Sequence, residues 1–253
     1  MKKRKNITIF PLLIMGVLLG FVSSCEKDEV NDPSSNGPIN DQSTAEFNPD
    51  VTYGTMTDQD GTVYNTVTIG TQTWMAENLR TTTYNDGTPI PNVTDHDEWC
   101  GLTTGAYCNY DNTSDQDSIA TYGRLYNWYA IKTGKLAPKG WHVPTDDEWK
   151  VLTDYVGGIG VEGIIGLKEA GTIHWNSPNE GGTNETGFTA LPGGSSTCNN
   201  EQFNFIGNYG YWWSATEAGD GVAWFYTLYY DYSHVWRNWS HMKNGYSVRL
   251  VKD

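Results

Sequence analysis

Residues 140–149 read Gly-Trp-His-Val-Pro-Thr-Asp-Asp-Glu-Trp. This stretch combines an extended segment, a turn and the start of a helix. Val143 precedes Pro144, whose ring favours an extended conformation at the residue before it. Thr145 suits the N-cap, because its hydroxyl can accept from the backbone N–H of Glu148 while the Glu148 carboxylate accepts from the Thr145 N–H. The stretch therefore predicts a helix that begins at Thr145.

The body of this helix is predicted over residues 145–156. Asp146 and Asp147 add negative charge to the first turn, where the helix dipole favours it. A single apolar stripe follows, formed by Trp149, Leu152 and Val156. Two glycines at 157 and 158 are typical of a helix end.

The beginning of the chain indicates export. A basic Met1–Lys5 segment precedes an apolar run over residues 7–22 and then Ser23-Ser24-Cys25, an order typical of a signal peptide. The run is too short to predict a membrane-spanning helix. Val22–Cys25 resembles a bacterial lipobox, which implies that Cys25 carries acyl chains such as palmitate and becomes the mature N-terminus. The alternative is an ordinary secretory signal with an incidental cysteine.

The four residues after Cys25, Glu-Lys-Asp-Glu, resemble the acidic signal that directs lipoproteins of Bacteroidetes-like bacteria to the outer face of the outer membrane. The expected localisation is therefore the outer membrane, lipid-anchored and exposed at the cell surface. Residues 25–50 are rich in Asn, Asp, Ser, Pro and Gly and predict a disordered tether. With residues 1–24 as the leader, residues 51–253 remain as a single domain, long enough to bury a sizeable core.

The charge balance restricts the partners. The chain has 16 basic and 30 acidic residues, a net charge of −14, and removal of residues 1–24 changes this to −18. Such a field repels nucleic acid and anionic polymers. The membrane, through the lipid anchor, and a neutral glycan or a surface protein are the expected partners.

The cysteines and acidic loops give two further expectations. Cys100 and Cys108 can close a short disulfide loop in an exported protein, with Cys198 as the expected free thiol, although the sequence alone does not settle the connectivity. No cofactor is predicted, and calcium is retained as an alternative at Asp111, Asp115 and Asp117 or in the loop 176–185, although neither has an EF-hand pattern.

Sequence patterns in the domain predict an α+β fold with a curled antiparallel sheet, two short helices and long irregular loops. Asp60-Gly61 indicates a turn before a strand with alternating Val63, Val67 and Ile69. The spacing within residues 122–130 predicts the second short helix. Residues 247–251 alternate and predict a final, central strand.

Seven short motifs follow one another in this domain: Trp74–Leu79, Tyr122–Trp128, Gly140–Trp149, His174–Asn179, Leu191–Gly194, Trp212–Glu217 and Ser247–Arg249. Together they resemble the motifs of the Fibrobacter succinogenes major paralogous domain family, over roughly residues 60–253. The resemblance implies a C-type-lectin-like fold, related to that of formylglycine-generating enzymes, without an established molecular function. Ala137 and Leu250 stand where family members often carry cysteines, which is how a lost disulfide replaced by an apolar contact would look.

The aromatic content suggests a binding surface. The chain has 11 Trp, 16 Tyr and 7 Phe, and residues 229–239 hold more rings than one buried face needs, because alternate side chains of a strand point to opposite faces. The candidate ligand-binding residues are Tyr230, Tyr232, Trp236, Asn238 and Trp239. The alternative is an ordinary solvent-facing sheet with cross-strand pairs.

No catalytic residues are predicted. Formylglycine-generating enzymes depend on cysteines, and no matching pair occurs in the C-terminal third of this chain. His142 is expected to be a hydrogen-bonded structural residue, and Glu148 already has a capping role. The preferred hypothesis is a non-catalytic surface module that binds glycan or protein; the alternatives are a structural surface component and an enzyme on a formylglycine-generating-enzyme-like scaffold.

Overall fold

The structure is a computed structural model that describes residues 43–161, 166–198 and 202–253. The predicted leader, Cys25 and most of the predicted tether lie outside these residues. Across the described ranges, no helix has the length and apolar character that crossing a bilayer requires.

The described residues form short helices and many strands. The helices are His96–Gly101 (α1), Gln116–Tyr122 (α2), Trp128–Lys132 (α3) and Asp146–Tyr155 (α4), with a 3₁₀ turn at Tyr110–Asn112. The first strands are Gly54–Thr57 (β1), Val63–Ile69 (β2), Gln72–Met75 (β3), Tyr107–Cys108 (β4), Leu125–Asn127 (β5) and Trp141–His142 (β6). The later strands are Gly193–Ser196 (β7), Phe203–Ile206 (β8), Tyr209–Gly219 (β9), Val222–Tyr229 (β10), Trp236–His241 (β11), Gly245–Tyr246 (β12) and Val251–Lys252 (β13).

Two sheets organise these strands. The smaller is antiparallel, in the order β1-β2-β3-β13-β6. The larger has the order β11-β10-β9-β7-β12-β5-β4, with β8 paired to β7 and a parallel contact between β7 and β9. The fold is thus a sheet-rich α+β domain with curled antiparallel pairing, as the sequence predicts at this coarser level.

Helix α4 confirms the prediction from the opening stretch. The Glu148 N–H donates to the Thr145 hydroxyl at 3.3 Å and the Thr145 N–H donates to the Glu148 carboxylate at 2.8 Å, so the capping box is complete. Trp149 and Leu152 are buried. The Trp149 ring stacks on Tyr226 at 4.9 Å between centroids, which ties the helix to β10.

Two predicted elements are wrong in detail. Residues 122–130 are not one helix: α2 ends at Tyr122, β5 follows, and Asn127 caps α3 through a bond from the Ala130 N–H. Gly123 causes the break, because its φ of +74° ends α2 and a Cβ there would lie 2.6 Å from that of Asn78. The final strand predicted over residues 247–251 is also wrong in detail: only Val251 lies in a strand, β13, and Ser247 forms an isolated bridge to Trp212.

The start of the domain is earlier than predicted. Residues 43–50, assigned to the tether from composition, contact the domain through specific hydrogen bonds. The Thr44 hydroxyl lies 2.9 Å from Nε2 of His174, and the Glu46 N–H donates to the Glu169 carboxylate at 2.6 Å. Their amino-acid composition shows a low apolar content but cannot show these polar contacts. The prediction of a disordered tether is therefore wrong for these eight residues.

The cysteine prediction is also wrong. Cys100 is bonded to Cys198, 98 residues away, with a Cα–Cα distance of 5.5 Å. Cys108 is the free cysteine, fully buried in β4 within a small apolar cluster. Burial raises the pKa of its thiol to about 12, so it stays protonated and unreactive. Closeness in the sequence therefore does not predict which cysteines pair, because the fold brings distant segments together.

Tryptophans divide sharply between core and surface. Seven of the 11 are buried, and each of their indole N–H groups donates to a protein acceptor: Trp74, Trp99, Trp128, Trp149, Trp175, Trp212 and Trp213. The other four, Trp141, Trp224, Trp236 and Trp239, are half-buried or exposed. The buried rings fill the core without leaving a buried indole donor unsatisfied.

Arg249 carries a fully buried charge in this core. Its guanidinium donates to the Asn78 side chain at 3.1 Å and to the carbonyls of Met75, Phe188 and Thr189, the last at 2.7 Å. It also lies over the Phe188 ring at 4.2 Å. Burial lowers its pKa to about 9, partly offset by the charge of Glu77, so Arg249 remains protonated at neutral pH.

Replacing Arg249 is expected to destabilise the domain strongly. Arg249→Met keeps much of the side-chain volume but leaves the carbonyls of Phe188 and Thr189 without this donor, and the Asn78 amide oxygen keeps only its bond from Trp212. This loss is expected to cost about 3–5 kcal/mol of unfolding free energy. Urea denaturation measures this cost. Lys150→Met, which removes an exposed ion pair on α4, is the control and is expected to cost less than about 0.5 kcal/mol. Equal midpoints for the two variants would contradict the role given to Arg249.

Candidate functional site

A row of aromatic side chains lies on one face of the larger sheet, where β8 to β11 meet. We call it the aromatic platform and define it as Phe205, Tyr209, Tyr229, Tyr232 and Trp236. Ring centroids are 4.7 Å apart for Phe205 and Tyr209, 4.4 Å for Tyr209 and Tyr229, and 6.3 Å for Tyr229 and Trp236. Each ring thus contacts the next in an unbroken series.

The strand register explains why these rings share a face. Tyr209 of β9 lies directly opposite Tyr229 of β10, and Trp236 of β11 lies opposite Thr227, two residues from Tyr229. Directly opposed side chains project to the same side of a sheet. The outer rings are open to solvent, with relative exposures of 46% for Phe205 and 40% for Trp236.

The structure brings together only part of the predicted site. Tyr232, Trp236 and Asn238 lie on the platform side, whereas Tyr230 packs against the second core cluster on the other side. Trp239, 55% exposed, is separated from Trp236 by an odd number of positions along β11 and therefore also projects to the opposite face. The prediction of a single face for all five residues is wrong for this reason.

On that opposite face, the hairpin of β10 and β11 is fixed to helix α4. Arg237 donates from Nε and Nη2 to the two carboxylate oxygens of Asp146, at 2.7 and 2.8 Å. Its guanidinium lies 3.3 Å from the centroid of Trp224, and the Tyr226 hydroxyl donates to Asp146 at 3.0 Å. Trp239 stands opposite Trp224 in the register. Arg237 is therefore neutralised and held in place rather than free to attract an anion.

Beneath the platform, two polar atoms are buried without a hydrogen-bond partner in the part of the chain that the structure describes. They are Oγ1 of Thr227 and Nδ1 of His234. The His234 ring contacts Trp236 at 4.9 Å, so it supports the platform from below. Lys168 holds the connection between β10 and β11, because its Nζ donates to the carbonyls of Tyr229 and Tyr232 at 2.8 and 3.1 Å.

The platform is electrostatically neutral to mildly acidic. Desolvation, followed by the charge of Asp231, raises the pKa of Tyr209. Desolvation also raises the pKa of Tyr229, with smaller contributions from Tyr209 and Asp231. Both hydroxyls therefore stay protonated near neutral pH. Burial lowers the pKa of Lys168 to about 8, and that cation faces backbone carbonyls rather than the open surface.

A concave region lies at the stretch formed by residues 140–149. A cavity of about 400 Å³ is lined by both apolar and polar side chains, among them Trp141, Val143, His142 and Asp253. His142 donates from Nδ1 to Asp253 and from Nε2 to Glu148, each at 2.7 Å. Partial burial opposes the charged form, but these two bonds outweigh it and raise the pKa of His142. The expected hydrogen-bonded, structural role of His142 agrees with this geometry.

Other candidate groups already have protein partners. Glu77 is buried and accepts from the side-chain amide of Asn65 at 3.0 Å, and Glu217 pairs with Lys132 at 2.9 Å. Asp115 caps α2 by accepting from the Asp117 N–H. Within the described ranges, no group of three or more His, Cys, Asp or Glu side chains is arranged to hold a metal ion.

Sequence reasoning missed Phe205, Tyr209 and Tyr229 as site residues. A signal was present for Tyr229, since Tyr229, Thr227 and Phe225 alternate along β10 and share one face. No local pattern indicates that β8 brings Phe205 against Tyr209.

Comparison with known proteins identifies the domain. The family profile described as the Fibrobacter succinogenes major domain matches residues 67–252. No curated protein and no solved structure matches the chain. The match begins within β2, extends to β13 and contains the platform.

The pairing of His142 predicts a pH dependence of stability. Its folded pKa is raised, so its contribution is fully present below the unfolded value of about 6.5 and is lost as pH rises through the folded pKa. His142→Gln should therefore lower the melting temperature more at pH 5.5 than at pH 8.5. The side chain is more than one third exposed, so the difference is at most about 1 kcal/mol. His241→Gln on β11 is the control, and a pH-independent effect of His142→Gln would contradict the assignment.

Proposed function

This chain belongs to the Fibrobacter succinogenes major domain family, and we propose that it is a lipid-anchored bacterial surface module with a C-type-lectin-like fold that binds a glycan, without catalysis, on the aromatic platform. The observation that carries the proposal is the contrast between the tryptophans. Seven are buried with satisfied indole groups, whereas Trp236 stands exposed at the end of an unbroken series of rings.

Exposed rings in this arrangement suit a sugar. The face of an aromatic ring carries partial negative charge and favours contact with positively polarised hydrogen atoms, such as those on the C–H face of a pyranose. A row of rings on a rigid sheet gives consecutive sugar units separate stacking surfaces. Contiguous exposed apolar surface of this kind also marks binding sites in general.

The charge of the protein favours a neutral ligand. The net charge of −14 and the position of Asp231 at the end of the platform both oppose an anionic polymer. Lys168 does not reverse this, because its Nζ is held by two backbone carbonyls. A protein ligand is the second candidate, since aromatic side chains also dominate protein interfaces.

The platform assignment predicts a difference between two tryptophans of the same strand. Trp236→Ala should lower affinity for a neutral glycan about tenfold, and Trp239→Ala, on the opposite face, should leave it unchanged. The measurement is a glycan array, followed by calorimetry with the best oligosaccharide. The full chain should be purified in a detergent without a sugar headgroup, so that the detergent does not occupy the platform.

Three outcomes of this experiment would count against the proposal. Equal losses for both variants would indicate general destabilisation rather than a site. Loss only for Trp239→Ala would move the site to the other face. Binding of a surface protein but of no glycan would favour the second candidate.

The lipid anchor predicts a change in fractionation. Cys25→Ser removes the thiol that the lipobox requires, so the protein should move from the membrane fraction to the soluble exported fraction. Metabolic labelling with an alkyne fatty acid measures the acylation directly and should fall to background. Cys108→Ser, at a buried thiol, is the control and should leave labelling unchanged. Persistent labelling of Cys25→Ser would contradict the anchor.

A further inference from the structure

Phe205 has a backbone conformation that a bulky residue rarely adopts. Its φ is +70°, in the left-handed region, within β8. Among the described residues, six non-glycine residues have positive φ, and four of them are Asp or Asn, which tolerate this region through local hydrogen bonds. Phe205 has no such polar side chain. Strain of this type persists where the surrounding structure holds it, and it concentrates at functional sites.

The strained residue carries a ring that is largely exposed. The Phe205 side chain is 46% exposed and rests on Tyr209 at 4.7 Å, at the end of the platform away from Trp236. By contrast Thr189, the other positive-φ residue that is neither Asp nor Asn, is fully buried, and its carbonyl accepts from Arg249. The strained backbone at Thr189 thus lies in the core and holds a carbonyl against Arg249, whereas the strained backbone at Phe205 holds an exposed ring.

A pair of amide side chains lies at the turn that follows Phe205. Asn208 follows Phe205 in the turn between β8 and β9, where its N–H donates to the Phe205 carbonyl at 3.0 Å. Its side-chain oxygen accepts from Nδ2 of Asn176 at 2.8 Å. In the part of the chain that the structure describes, Nδ2 of Asn208 and Oδ1 of Asn176 have no protein partner. The pair therefore offers one donor group and one acceptor at the turn that follows Phe205.

We propose that Phe205 is a ligand-contact residue, kept in a strained conformation so that its ring closes one end of the aromatic platform, and that the unit bound there is an uncharged hexopyranose. The ring takes the apolar face of the sugar, and the amide pair of Asn176 and Asn208 meets its hydroxyls, which both donate and accept. Asp231 disfavours an acidic sugar at the same surface. This inference rests on the proposed glycan-binding function and specifies the class of ligand and one end of the site.

Two variants distinguish the contribution of the Phe205 ring to affinity from the effect of its strained backbone on stability. Phe205→Ala and Phe205→Gly both delete the ring, but glycine adopts positive φ without strain and alanine does not. Both variants should lose affinity about fivefold. Phe205→Gly should nevertheless melt at a temperature equal to or above that of Phe205→Ala, the reverse of the usual order in a strand.

Phe203→Ala is the matched control. Phe203 lies two residues earlier in β8, and its ring contacts Tyr110 rather than the platform. This variant should lower the melting temperature and leave affinity unchanged. A merely structural role for Phe205 would give the same pattern in Phe205→Ala, so unchanged affinity there overturns the proposal.

The probes are cellohexaose and mannohexaose as neutral chains and oligogalacturonate as an acidic chain, measured by calorimetry with the full chain in a detergent without sugar. Binding of a neutral probe that Phe205→Ala weakens supports the inference. If Trp236→Ala weakens binding and Phe205→Ala does not, the inference fails while the proposed function stands. If no probe binds the wild type, both fail. If oligogalacturonate binds more tightly than the neutral probes, the ligand is not an uncharged sugar and that part of the inference fails. If Phe205→Gly melts at a lower temperature than Phe205→Ala, the backbone at Phe205 is not strained.

Discussion

The guanidinium of Arg249 is the constraint on which the rest of this domain depends. A charge buried this completely is tolerated only when nearly all of its donors are satisfied, and here they reach Met75, Asn78, Phe188 and Thr189. These acceptors belong to segments that are far apart in sequence. Because the carbonyls of Phe188 and Thr189 would lose this donor if their segment moved away, and the guanidinium would lose its acceptors, the segments are expected to form and separate together. The buried charge thus gives the fold specificity as well as cohesion.

The same network fixes the position of the larger sheet. Asn78 accepts from Arg249 and also from the indole of Trp212 in β9, at 2.8 Å. Asn78 then donates to the Tyr122 carbonyl at 2.9 Å, which links the network to the end of α2. Since residues of several family motifs meet at this amide, those motifs specify a framework. The rings of the aromatic platform lie outside that framework, on strands that it holds in place. The proposed ligand contacts thus fall on residues that the framework leaves exposed.

The contrast between correct and incorrect predictions follows the range of the interactions. Helix α4 is predictable because its capping box joins residues three apart, Thr145 and Glu148. The break at Gly123 is not, since it depends on close approach to Asn78, 45 residues earlier in the chain. The disulfide of Cys100 depends on a contact across 98 residues. The division of Trp236 and Trp239 between two faces was available from the alternation of a strand, but only once both residues were known to lie in the same uninterrupted strand.

The stretch formed by residues 140–149 fixes one strand of the platform as well as starting helix α4. β11 is the edge strand of its sheet, and an edge hairpin paired on one side would ordinarily be a mobile support for a binding site. Here Arg237 of β11 is held by both carboxylate oxygens of Asp146, the first residue of α4. A bidentate pair restricts orientation as well as distance. Trp236, the neighbour of Arg237 on the other face, is therefore presented from a strand fixed to the helix, so less conformational entropy is lost when a ligand stacks on it. The residues that start the helix thus act through the thickness of the sheet on the surface proposed to bind glycan.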